Sequence, residues 1–335
     1  MFLDILKSKL PELKIKNKAV IALGCSFVHG QSAFDLDFWD RYEHLSFDLQ
    51  HSVCFRSRPD KIEFYKNEML SEYKNLKELP AVHVHTPNRI PINTFFMEND
   101  NSFVEVLCRE YLTDYVALNF GMRGNGNRAT VMQLFRFPEI DFSNMEDIIV
   151  LFFPTGLERF DFTAKTPMDH FTHQTLWPHW ENNNLSGTKK DLWKGYAFEC
   201  FSDYHNVFEY LDITSILQMW CKQHNASLYI CPAFHDDINE KHFLEVMNSF
   251  FPINPFLKDR NIEKINKYPW EKHILLDGCR TMAEYTNKLE TGKSGVMLYH
   301  QWNYTGSPNK FWSKDAHPNA QAHKNIAHLL SDIVR

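Results

Sequence analysis

Continuous apolar runs alternate along this chain with stretches whose apolar residues recur at helical spacing. The runs at 19–23, 115–118, 147–153 and 227–231 are short and partly β-branched. Such runs predict strands buried on both faces, as in a parallel sheet. The run at 273–276 is a candidate fifth strand. Helical spacing recurs between them: at 102–112 through Phe103, Val104, Val106, Leu107 and Tyr111, and after 127 through Val131, Leu134 and Phe135. It recurs at 203–223 through Val207, Tyr210, Leu211, Ile213, Leu217 and Trp220, then at 281–288 and at 319–333. Asn101 or Ser102 can cap the helix over 102–112, and Pro318 can start the closing one. Residues 1–17 predict a short amphipathic helix, limited by Pro11, and a link. Strands alternating with helices predict an α/β fold.

Two segments interrupt this alternation. Residues 31–100 are rich in aromatics and charge, with a predicted helix over 60–78 through Ile62, Tyr65, Met69, Tyr73 and Leu76. Pro80, Pro87 and Pro91 then impose extended structure. His83 and His85 alternate there and can face one way toward a metal; without a third ligand nearby they read more often as ordinary surface, and no metal is expected. Residues 161–200 combine His170, His173 and His179 with Trp177, Trp180 and Trp193. That composition suits a sugar or lipid platform, or a cover packed on the domain. Neither segment contains a repeat or a linker, so residues 1–335 are expected to form one domain with insertions at about 31–100 and 161–200.

Composition narrows the class. Hydrophobic residues make up 44% of the 335, with 28 Phe among them, which excludes a disordered chain. The net charge of −6, without a dominant Lys/Arg block, argues against a nucleic-acid partner. No apolar run approaches the roughly 20 residues of a membrane span. Asp4 interrupts the first apolar positions and no cleavage-like pattern follows, so no signal peptide is expected. The seven cysteines are scattered, odd in number and form no CxxC pair. Reduced thiols in an intracellular setting are the simplest reading of that.

Candidate chemistry begins where the first strand ends. Gly24-Cys25-Ser26 breaks the run, and Ser26 falls just past the C-terminal edge, where ligands bind in open α/β sheets. Gly24 permits a sharp turn there. Ser26 alone can equally cap a following helix. Cys25 beside it is a rival nucleophile or a packing residue. Near the other end, Asp315 and His317 sit two apart before the closing helix, and nucleophilic serine chemistry needs such a base and orienting acid. His29, His323 and His328 are rival bases, the last two within the closing helix. In the middle, Asn119-Phe-Gly-Met-Arg-Gly124-Asn-Gly126 offers backbone N–H groups to an anion or oxyanion. Its glycine spacing differs from the dinucleotide fingerprint, so no nucleotide cofactor is expected.

Together, Gly24-Cys-Ser26, Asn119-Phe-Gly-Met-Arg-Gly124 and Asp315-Ala-His317-Pro-Asn resemble the blocks of the SGNH/GDSL hydrolase superfamily. The closest likeness is to the divergent Gly-Cys-Ser-Phe branch seen in phage and bacterial genomes. The resemblance implies a three-layer α/β/α sandwich whose parallel sheet of about five strands has the flavodoxin-like order 2-1-3-4-5. It implies a serine esterase or deacetylase acting on an O-acyl ester of a carbohydrate or lipid, with Ser26 as nucleophile, His317 as base and Asp315 as orienter. It assigns the oxyanion to the N–H groups of Ser26 and Gly124. The usual Asn of the third block is absent; Thr155 stands nearest its place and Arg159 one helical turn on, and either side chain can donate. That departure leaves open a non-catalytic binding or structural protein, such as a virion component.

Overall fold

A computed structural model of the protein describes residues 2–30, 33, 45–47, 53–55, 77–78, 89–90, 92–93, 95–122, 125–135, 137, 140–165, 171–176, 188–195, 202–234, 237–250, 255–294, 310–312 and 317–334. Its centre is a four-stranded parallel sheet of β1 (Lys18–Gly24), β2 (Val116–Asn119), β3 (Asp147–Phe153) and β4 (Ser227–Ile230). The spatial order is β2-β1-β3-β4, so the first strand is interior. Successive side chains of a strand point to opposite faces, and in β1 both faces are covered. Ala19, Ile21 and Leu23 enter one apolar cluster, Val20 and Ala22 the other. Full burial of each Val, Ile or Leu side chain contributes about 1.5–3 kcal/mol, which is why these runs lack polar alternation.

Helices lie against both faces. On the first lie α1 (Phe2–Lys16), α5 (Asn127–Met132), α6 (Asp203–Gln223) and α7 (Glu240–Phe250), contributing Leu6, Val131, Leu217 and Phe243. The second receives α2 (Ser26–His29), α4 (Phe103–Glu110), α9 (Met282–Thr291) and α10 (Ala320–Ile333) through Phe27, Leu107, Met282 and Ile326. Two further helices are α3 (Phe95–Asp100) and α8 (Pro255–Asn266).

Register places the loops that matter side by side. Ala22 pairs with Asn119, and Gly24 with Phe153. The chains leaving β1, β2 and β3 therefore start from neighbouring points on one sheet edge.

Several expectations change. Pro11 does not limit the first helix, which runs through it to Lys16. The packing of Leu6 and Leu13 into the core outweighs the hydrogen bond that proline removes. The expected fifth strand is reduced to one parallel bridge, Ile230 to His273, with Ile274 N–H donating to the Ile230 carbonyl. Pro269 before it and the tight Leu276–Cys279 turn after it leave no length for a ladder. The helix after the glycine-rich loop tightens into a 3-10 turn at Gln133–Phe135. Within the first insertion, Lys77–Glu78 is a short strand paired with Ile92–Asn93; the rest of the helix expected over 60–78, and His83 and His85, lie outside the described residues. In the second insertion an antiparallel hairpin joins Phe160–Lys165 to Phe171–Leu176, and Thr188–Gly195 is helical. His170, Trp177, His179 and Trp180 lie outside the described residues.

Candidate active site

Ser26 is the first residue of α2, and the N-cap position before it is Cys25, in extended conformation. The serine hydroxyl therefore does not cap the helix. Its Oγ lies 2.9 Å from Nε2 of His317. The two residues are 291 apart in sequence, and each is positioned by local structure that can be traced.

Close approaches set the serine end. A Cβ on Gly24 would lie 2.2 Å from Cγ2 of Val28, and one on Gly121 would lie 2.4 Å from the His29 amide nitrogen. The β2 loop and α2 thus touch backbone to backbone. Asn119 ties them: its Nδ2 donates to the Val28 carbonyl at 3.2 Å and to Ser102 Oγ at 3.1 Å, while its Oδ1 accepts from Gly121 N–H at 2.9 Å. Gly121→Ala is therefore expected to push α2 out of place: a lower thermal midpoint and loss of any serine reactivity, read by calorimetry and by a serine-directed probe.

The histidine end is built from the closing helix. Asn319 caps α10 by accepting from Ala322 N–H at 3.1 Å, and its Nδ2 donates to the Lys310 carbonyl at 2.9 Å. A bridge between Trp312 and Pro318 completes the corner. The ring of Phe27, next to Ser26, meets the His317 ring edge-on at 5.3 Å between centroids. Phe27 also packs on Phe234 at 4.2 Å.

Other expected residues are placed as follows. Thr155 is buried at the end of β3. Asn127 grips its backbone, with Nδ2 donating to the Thr155 carbonyl at 3.2 Å and Oδ1 accepting its N–H at 2.7 Å. Arg159 donates to the Asn125 carbonyl at 2.9 Å and lies 5.2 Å over the Phe234 ring, close enough for its charge to act on Cys25. Asp315 and Gly124 lie outside the described residues. Cys25 is fully buried, and burial pushes its thiol pKa up, with Arg159 opposing only in part. A protonated, enclosed thiol is a packing group. Cys25, Cys108, Cys221, Cys231 and Cys279 are all buried free thiols.

The rival histidines take other roles. His323 accepts the Phe103 N–H at Nδ1, 3.1 Å away, and stacks on that ring. Burial, then the neighbouring His317 and His29, pull its pKa down to about 3. His29 faces Glu98 in the interior, and His328 is exposed beside Tyr111.

Sequence reasoning missed Asn119 and Asn127 as clamps and Phe27 as the base's packing partner. The signal was there for Asn119, a polar residue closing a buried strand. Also missed was Asn125, whose Nδ2 is buried without a hydrogen-bond partner among the described residues. Asn127→Ala is expected to cost about 2–4 kcal/mol in urea unfolding, because it strands both buried polar groups of Thr155.

Among the described residues no group of three His, Cys, Asp or Glu is arranged to hold a metal, and no helix is long and apolar enough to cross a membrane. A cavity of about 530 Å³ lined by Gln218, Lys222, Tyr229 and Lys272 lies at the opposite end of β4. Its lining contains no histidine, whereas Ser26 and His317 stand within hydrogen-bond distance of each other. No family model and no curated protein matches the chain.

Proposed function

We propose that this protein is a serine ester hydrolase of the SGNH type, acting on an O-acyl ester of a carbohydrate or lipid. The observation that carries the reading is the 2.9 Å contact between Ser26 Oγ and His317 Nε2 at the C-terminal edge of a parallel sheet. A serine and a histidine so far apart in sequence meet there only because the first strand and the closing helix both deliver them. The strand order β2-β1-β3-β4, with His273 bridged beyond β4, suits the 2-1-3-4-5 order of that superfamily.

In the proposed mechanism His317 Nε2 accepts the Ser26 proton as Oγ attacks the ester carbonyl. The tetrahedral oxyanion collapses to an acyl-enzyme, and the alcohol leaves with the proton from His317. Water, deprotonated by the same ring, then releases the acid. Asp315 orients the ring in this reading. The Ser26 and Gly124 N–H groups hold the oxyanion, with Arg159 or the Thr155 hydroxyl as further donor; one such donor is worth about 3 kcal/mol.

The absent third-block Asn, and the engagement of both Thr155 backbone groups by Asn127, favour one rival: a non-catalytic ligand-binding or structural protein on the same scaffold. A panel of p-nitrophenyl esters, acetylated sugars and phospholipids separates the two. Turnover of any class that is lost in Ser26→Ala supports the hydrolase; no turnover across the panel supports the rival.

A further inference from the structure

The nucleophile's helix is a single turn of four residues. One turn cannot stabilise itself, because nucleation fixes many dihedrals for one hydrogen bond. Its orientation comes from what it packs against: Asn119 holds the Val28 carbonyl, and the His29 side chain reaches a second anchor. Ser26 opens the turn and His29 closes it. The His29 side chain is 1% exposed, and its Nε2 lies 3.4 Å from Oε2 of Glu98, also 1% exposed. Glu98 belongs to α3, which meets the end of the turn directly: a Cβ on Gly30 would lie 2.7 Å from the Glu98 carbonyl oxygen. Buried ionisable pairs rarely add net stability over apolar side chains of equal volume, so stability does not account for this one.

We propose that Glu98 and His29 are a buried positioning pair that holds Ser26 in hydrogen-bond register with His317. The inference rests on the reading of Ser26 and His317 as nucleophile and base. Phe27, two residues before His29 in the same turn, braces the His317 ring. His323 completes that layer, near enough to both His29 and His317 for each to act on its titration. A rotation of the turn that released His29 from Glu98 would swing Ser26 as well, since the two residues bracket the same four-residue helix.

The test uses the full chain as Glu98→Gln, His29→Gln and the apolar double variant Glu98→Met with His29→Leu, which keeps volume close to native and removes both ionisable groups. Crystal structures of each read the Ser26 Oγ to His317 Nε2 separation, and p-nitrophenyl acetate kinetics read kcat and KM. The expected result is a separation beyond about 3.5 Å. With it, kcat falls about 10–100-fold at a KM within about twofold of wild type. The double variant should lose no more kcat than the worse single, at an unchanged or higher thermal midpoint. A 2.9 Å contact and wild-type kcat retained in a folded double variant overturn the proposal. If wild type turns over no ester, the hydrolase reading fails by itself. The crystallographic separation then decides this one: opening supports the positioning pair, and retention overturns it.

Discussion

Ser26→Ala is expected to lower kcat for short acyl esters by at least ~10³-fold while changing unfolding free energy by less than about 1 kcal/mol. The hydroxyl pairs with His317 and also meets the Cys25 thiol, and the helix it opens is held by Phe27, Val28 and His29 rather than by the serine. Removing it leaves packing intact and removes the proposed nucleophile. His317→Ala is expected to cost about as much, and the double variant no more than either, because a nucleophile and its base act as a unit. Steady-state kinetics and urea unfolding on the three variants check this. Losses that multiply in the double variant would mean that the two side chains work independently.

The second large effect concerns acid stability. His323 is fully buried and its pKa is pulled down to about 3, chiefly by burial. In the unfolded chain it binds a proton below about 6.5. Between those values the unfolded state holds a proton that the folded state does not. Its stabilising contribution is therefore complete above pH 6.5 and is lost as pH falls toward 3. For this one ring the loss between pH 7 and pH 4 is about 3 kcal/mol. His273, pulled down to about 4 by burial and bonded to the Tyr268 hydroxyl at 2.8 Å, adds a loss of the same sign. His323→Gln keeps an acceptor for the Phe103 N–H but cannot titrate, so its unfolding free energy should fall less between pH 7 and pH 4. Urea unfolding at the two pH values reads the difference, and identical slopes in variant and wild type would contradict the assignment.

What the sequence made legible follows from burial. Asp147–Phe153 reads as a strand in both sequence and structure because six of its seven residues, on both faces, are buried and nothing competes with the pattern. The helix Asp203–Gln223 is legible for the same reason, through its period of buried residues. The fifth strand was overread, since a short apolar run with proline before it looks alike whether it makes a ladder or one bridge. Pro11 was overread too, because the local cost of proline is visible in sequence and the compensating contacts of Leu6 and Leu13 are not. The contact of Ser26 with His317 was legible because a serine ending the first strand and a histidine before the closing helix both stand out in the sequence. The partners of Asn119 and Asn127, the Val28 and Thr155 backbones, were not legible, because strand register alone brings them together. His29 and Glu98 are 69 residues apart, and neither carries a local signature of the other.

The most direct test of the central claim is mass-spectrometric mapping after treatment of the native protein with a fluorophosphonate. A phosphonyl adduct on Ser26, absent in His317→Ala, is the result that a nucleophile activated by this histidine predicts. An adduct on Cys25, or no adduct while the protein remains folded, would contradict it.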